Sequence, residues 1–312
     1  MNNYKTATLV CLFLLAPTTL SAADNGWLQG SCASGSGTYR WADGTRYDGQ
    51  CSNNYFQGQG TLTMPNGDRY VGQFSNDQQN GNGTYYFANG DRYDGSFRNG
   101  QRNGAGTLVR ANGDRFQGSY RNGQRNGQGT FIFANGERYQ GNWSADQFNG
   151  QGTYYFRNGD QYSGQWRNGQ KHGRGTFTFG NGDRFEGNFS NDERNGEGTL
   201  TLANGSSYQG QWRDGRQHGM GTQTWTNGER YEGSWQNGEM QGRGTYFYAN
   251  GNRFEGDFRG NELHGNGVYF YANGDRYEGP WARGERHGAG RYIDRSGNIE
   301  QMRFVNGRRD DS

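Results

Sequence analysis

From Tyr47 onward an aromatic side chain returns every 23 residues, at Tyr47, Tyr70, Tyr93, Phe116, Tyr139, Tyr162, Phe185, Tyr208, Tyr231, Phe254 and Tyr277, with no insertion. Four positions after each stands Cys51, Phe74, Phe97, Tyr120, Trp143, Trp166, Phe189, Trp212, Trp235, Phe258 or Trp281, and a glycine lies midway. Ring, glycine and ring at period two share one face of a strand. A second segment follows a Gly-x-Gly pair, as in Gly83-Thr84-Tyr85-Tyr86-Phe87, where Tyr85 and Phe87 share a face and Thr84 and Tyr86 point the other way. Asn-Gly occurs 23 times, often between such segments. It tolerates positive φ and is the strongest short hairpin signal. Two strands and two turns leave no room in 23 residues for a helix of ordinary length. Each unit therefore predicts a β-hairpin.

The pattern sets the boundaries. Gly26 and Gly35-x-Gly37 keep phase with Gly49 and Gly58-x-Gly60, so a degenerate capping repeat is expected over 24–46, with Leu28 in place of the second ring. Eleven full repeats occupy 47–299, and 300–312 reads as a decaying cap and polar tail. Pro280 offers no N–H to a ladder, which predicts a place near a sheet edge.

Composition sharpens this picture. Leu, Ile, Val and Phe number only 38 of 312 residues, a proportion usual in disordered chains. Aromatics reach 15%, however, and the formal charge is only +2, so rings supply the surface to bury and repulsion does not hold the chain open. The balanced charge also excludes strong nonspecific attraction to nucleic acid.

Before the repeats, Lys5, the apolar run containing Leu9, Val10, Leu12, Phe13, Leu14 and Leu15, then Pro17 and Ser21-Ala22-Ala23 form a three-part signal peptide over 1–23. Its apolar run is too short to span the ~30 Å hydrocarbon core as a helix. Export to the periplasm or the cell exterior is expected. Removing the peptide leaves Cys32 and Cys51, and an even count in an oxidising compartment favours a disulfide between them. Such a bond would close a loop of about 20 residues, worth ~3 kcal/mol in the chain-entropy description. The alternative is two buried free thiols.

The run Tyr277-Glu278-Gly279-Pro280-Trp281-Ala282-Arg283-Gly284-Glu285-Arg286-His287-Gly288-Ala289-Gly290 resembles the MORN (membrane occupation and recognition nexus) repeat, YEGxWxxGxxHGxG. Tyr231–Gly244 and Tyr162–Gly175 match nearly as well. The resemblance implies an all-β fold, an elongated single-layer antiparallel β-hairpin solenoid with rings stacked along one grooved face. In enzymes with such repeats, such as SET-domain methyltransferases and plant phosphoinositide kinases, catalysis belongs to an attached domain.

The residues themselves supply little chemistry. Arginine precedes the first ring in nine of eleven repeats, and Arg46/Asp48, Arg92/Asp94, Arg184/Glu186, Arg230/Glu232, Arg253/Glu255 and Arg276/Glu278 share a face as i, i+2 pairs. They read as a solvated ladder, each pair worth ~0–1 kcal/mol, in preference to a track for an anionic ligand. His172, His218, His264 and His287 occupy one phase, where other repeats carry Asn or Gln before glycine. Adjacent repeats lie roughly 9–10 Å apart, too far to place three ligands on one ion. That reads as a turn-polar position, so no metal site is expected. Nor is there a nucleophile–base set or a phosphate loop before a helix, so no catalytic residue and no cofactor is expected.

One feature breaks the repetition. The middle residue of the second segment, on the face opposite the rings, is Tyr86, Val109, Ile132 and Tyr155 in one block and Phe247, Phe270 and Ile293 in another. Between them stand Thr178, Thr201 and Thr224. Two apolar stripes on an otherwise polar face mark a contact surface, unless the side chains simply pack under arginine stems. The leading expectation is a non-enzymatic exported scaffold that binds a protein partner or itself. Polysaccharide binding is the alternative and needs accessible groove rings. Membrane-lipid association, which the resemblance brings, is weakened by the balanced charge.

Overall fold

A computed structural model describes residues 26–310. The proposed signal peptide lies outside these residues. Among them there are 27 strands, paired in antiparallel fashion, and no helix. They fall into two compact units, 26–136 with 142–146 and 137–141 with 147–310. Each unit is a meander of antiparallel hairpins in which strands pair with neighbours in sequence.

The repeat beginning at Tyr70 serves for the first unit. Arg69–Ser75 and Gln78–Tyr86 pair through Tyr70↔Tyr85 and Gly72↔Gly83, and Gln78–Tyr86 pairs onward with Arg92–Arg98 through Gly83↔Gly95 and Tyr85↔Tyr93. Asn76 and Asp77 join the first two strands with φ of 51° and 65°, the left-handed pair that a two-residue hairpin turn needs to match strand twist. The return turn works otherwise. Phe87 N donates to the Asp91 carbonyl and Gly90 N to the Phe87 carbonyl, so only Gly90 takes positive φ.

The second strand is longer than its pattern predicts. It starts at Gln78 and carries Gly81 inside it, so the glycine pair is not punctuation ahead of the strand. Gly81 at φ 98° accompanies a register shift between Gly72 and Phe74, a bulge that the ladder absorbs without ending. The Gln73 Oε1 accepts from Asn82 N there, at 2.8 Å.

In the second unit the same hairpin recurs, as in Gln161–Arg167 with Gln170–Thr178. Pro280 departs from expectation. It lies in Arg276–Ala282, a strand paired on both sides, at the bulge phase. Its partner is consequently split into Glu285–Arg286 and Gly288–Ile293. A bulge tolerates a missing N–H as an edge does.

The core is a single row of rings over a row of glycines. Tyr47, Tyr70, Tyr93, Tyr139, Tyr162, Tyr231, Tyr277, Phe185 and Phe254 are 0% exposed. Glycine backbone lies directly beneath them. A Cβ at Gly72 would meet the Gly83 Cα at 2.5 Å, and one at Gly83 would meet the Tyr70 ring at 2.5 Å. Glycine is thus the only residue that lets the tyrosine lie flat. Second rings wall it edge-on, Tyr70 meeting Phe74 at 5.2 Å and Phe97 at 5.0 Å, with interplanar angles of 85° and 80°. Tyr162 sits likewise between Trp166 and Phe189, at 5.1 and 5.0 Å. This edge-to-face geometry is favoured by the ring quadrupole.

Candidate functional site

The repeat has two faces of different character. On the ring face the polar atoms are consumed locally. Tyr70 Oη donates to the Gln73 carbonyl at 2.9 Å and Tyr162 Oη to that of Gln165 at 2.9 Å. Trp166, Trp212 and Trp235 donate Nε1 to the carbonyls of Gly152, Gly198 and Gly221 at 3.1–3.2 Å. At the Pro280 repeat the buried Tyr277 Oη and Trp281 Nε1 have no partner among the described residues.

Cations also enter this face, a feature the sequence pattern did not reveal. Arg125 is buried, stacks over Trp143 at 4.3 Å and donates Nε to the Asp146 carboxylate at 2.9 Å. Arg194 covers Trp212 at 4.3 Å and donates to the Gly215 carbonyl. Lys171 lies over Phe177, 3.8 Å from Asp192. Burial lowers the pKa of Arg125 and of Lys171, and the neighbouring carboxylate counters it in each. The position nine residues after the first ring varies through Phe56, Gln79, Arg102, Phe148, Met240 and Leu263. No single residue type flagged it. With these roofs in place, the grooved face holds no accessible ring platform on its first two rows.

One edge carries a second unread device. The residue after Asn-Gly is acidic at Asp68, Asp91, Asp114, Glu137, Asp160, Asp183, Glu229 and Asp275. Asp68 accepts from Ala88 N at 2.7 Å and from Tyr85 Oη at 2.8 Å, tying one return turn to the next. Asp160 repeats the bond with Gly180 N, at 2.8 Å.

The opposite face holds the arginine ladder and the stripes. All six anticipated pairs form: Arg46–Asp48, Arg92–Asp94, Arg184–Glu186, Arg230–Glu232, Arg253–Glu255 and Arg276–Glu278. Val109 and Ile132 are 41% and 36% exposed. The stripe rings are half-buried under guanidiniums: Arg69 over Tyr86 at 4.4 Å, Arg138 over Tyr155 at 4.0 Å, Arg230 over Phe247 at 4.2 Å and Arg253 over Phe270 at 4.3 Å. Ile293 leaves the stripe. It is 4% exposed, between Arg276 and Ile299 on the flanking strands.

His172, His218 and His264 sit in strands and not in turns, as His172 does within Gln170–Thr178, and His287 stands between Glu285–Arg286 and Gly288–Ile293. His172 lines a shallow polar cleft with Asn149, Gln151, Gln165 and Arg167. Cys32 and Cys51 are both buried thiols in the structure, Cys32 Sγ donating to the Tyr55 carbonyl and Cys51 Sγ to the Ser31 carbonyl.

No curated protein matches the chain. Solved structures match the chain at low similarity. One is the TCP domain of SAS-4 (dCPAP) from Drosophila melanogaster in complex with a proline-rich motif of Ana2, 15% identical, covering 64% of this chain and 97% of that one, with a TM-score of 0.32. Another is the TCP10 domain of Danio rerio CPAP, 10% identical over 86% and 99%, TM-score 0.23. A third is an inactive virginiamycin B lyase from Staphylococcus aureus, 10% identical over 90% and 99%, TM-score 0.15. The family model for the MORN repeat matches twelve consecutive segments, 33–46 and then every 23 residues from 47–69 to 277–299. The chain belongs to the MORN repeat family.

Proposed function

We propose that this chain is an exported, non-enzymatic scaffold that binds a protein partner, or a second copy of itself, through the face opposite the rings. One contrast carries the reading. The first rings of the groove are closed at 0–1% exposure, whereas Val109 and Ile132 stand open at 41% and 36% on the other face. A sugar platform needs open aromatic faces, and these are stacked and roofed. The open face combines tyrosine, arginine and aliphatic side chains, with the first two enriched among residues that anchor protein interfaces. Export is supported by residues 1–23, and a Cys32–Cys51 disulfide goes with it. The test is crosslinking mass spectrometry on protein recovered from the culture medium or periplasm, beside a polysaccharide pull-down. Crosslinks concentrated on strands bearing Tyr86, Val109 or Phe247 support the scaffold. Crosslinks absent from that face, together with retention on polysaccharide, overturn it.

A further inference from the structure

Charge pairing on the face opposite the rings varies along the chain. In the second unit Arg184, Arg230, Arg253 and Arg276 are each bridged to a glutamate two residues on. In the first unit the six strands from Arg69–Ser75 to Gln124–Ile132 contain a single carboxylate, Asp94. Val71 and Gln117 stand where the paired repeats have an acid. Arg115 donates only to the neutral Gln117 amide, at 2.9 Å, and Arg69 stacks on Tyr86. Arg98 and Arg121 add two exposed cations at the ends of their strands, with no ion pair among the described residues. Their phase carries Arg167, Arg213 and Arg259 in the second unit and Ser52, Ser75 and Ser190 in other repeats, so the hairpin does not need arginine there.

Arg98 and Arg121 stand at the far end of the same strands, and the remaining groups lie in an ordered row. Arg69, Tyr86, Arg92, Val109, Arg115 and Ile132 are successive cross-strand neighbours. At ~4.7–4.9 Å per strand, cationic and apolar side chains alternate, each kind recurring at roughly 9–10 Å. We infer that this face of residues 69–132 docks an acidic polypeptide segment, its carboxylates on the unneutralised arginines and its apolar side chains on Tyr86, Val109 and Ile132. The inference rests on the scaffold reading and names the partner's chemistry. An anionic glycan brings charge but no side chain for Val109 or Ile132. A bilayer presents its acyl chains behind its phosphates. A polypeptide alternates both kinds of group along one strand.

Full-length protein is titrated with a fluorescent peptide of Glu-Glu-Leu repeats, a Lys-Lys-Leu control, alginate, and phosphatidylglycerol vesicles. The acidic peptide is expected to bind, with affinity falling linearly in log salt as an ion-pairing interface requires. The double variant Arg69→Ser/Arg115→Ser, carrying the serine native at Ser207, is expected to weaken it about tenfold. Arg308→Ser, in the strand Arg308–Arg309, is expected to leave it unchanged. Val109→Thr/Ile132→Thr is expected to weaken Glu-Glu-Leu but not poly-glutamate. No binding of the acidic peptide, equal binding by the double variant with native circular dichroism, or preference for alginate or vesicles overturns the inference. A partner that crosslinks to the face yet ignores Arg69→Ser/Arg115→Ser leaves the scaffold standing and removes the acidic segment. If nothing crosslinks to the face, both fail.

Discussion

A tyrosine lying flat on two glycines loses most of its hydration and keeps one hydrogen bond. Burial pushes the Tyr70 phenol up to about 12 from 10.0, with the bond to the Gln73 carbonyl offsetting part of the rise. The folded value lies above the unfolded one, so this stabilisation is complete below the unfolded pKa. It is lost as pH climbs from about 10 through about 12. Thermal midpoints should therefore hold to about pH 10 and collapse above it, in step with phenolate absorbance. Phenylalanine already occupies the same position at Phe116, Phe185 and Phe254, so Tyr70→Phe should keep the ring stack. Its expected cost is the net hydrogen bond, about 0.5–1.5 kcal/mol, with one fewer group in the alkaline transition. Gly72→Ala differs in kind. Its Cβ would press on the Gly83 Cα, a backbone atom that cannot step aside. The expected loss is at least the ~1–3 kcal/mol of core overpacking, read from urea midpoints. An alanine tolerated there without loss would refute the flat-ring account.

At the scale of the hairpin, the aromatic-x-Gly-x-aromatic strand was legible because a 23-residue period leaves few ways to fold. The return-turn acids were not. Asp68 and Glu229 look like ordinary turn residues until their Tyr85 and Tyr246 partners, 17 positions on, are seen beside them. Pro280 was misplaced for a related reason, since the bulge that accepts it is a cross-strand event with no local signature. The Tyr246 and Asn227 hydrogen bonds hold the Glu229 carboxyl below its usual 4.5. A depressed value means stabilisation that is present above the unfolded pKa and lost as pH falls through the folded one. Tyr246→Phe should accordingly flatten the acid limb of a stability-versus-pH curve while leaving neutral pH less affected. An unchanged acid limb would remove this role. The cysteine pair belongs to this scale too. Burial first, and Cys51 second, push the Cys32 thiol up to about 12, which leaves little thiolate for exchange once the repeat has closed. Peptide mapping of exported protein without reductant should find Cys32 linked to Cys51. Two thiols alkylated in denaturant would exclude the bond.

For the molecule as a whole, the repeat fixes what each position must be, so departures from it carry the functional information. The ring row, the glycine row and the arginine pairs were readable because each recurs many times. The groove cations were not, because Arg125, Phe148 and Met240 solve one covering problem with different chemistry. The stripes were readable as exceptions, but their guanidinium roofs were not, since Arg230 and Phe247 meet only across a ladder. That roof changes the expected cost of removing a stripe ring. Thr178, Thr201 and Thr224 show that threonine suffices at this position, and Phe247→Thr gives up chiefly a half-exposed cation–π contact, about 0.5–1 kcal/mol. Trp235→Ala, on the buried face, gives up the Gly221 hydrogen bond and leaves a cavity, at ~3–5 kcal/mol. Couplings in a repeat array are nearest-neighbour, so both losses should stay local in hydrogen exchange. If the face is an interface, Phe247→Thr should weaken partner crosslinking while the chain stays folded. If Phe247→Thr unfolds the chain as Trp235→Ala does, the stripe is core and binding lies elsewhere.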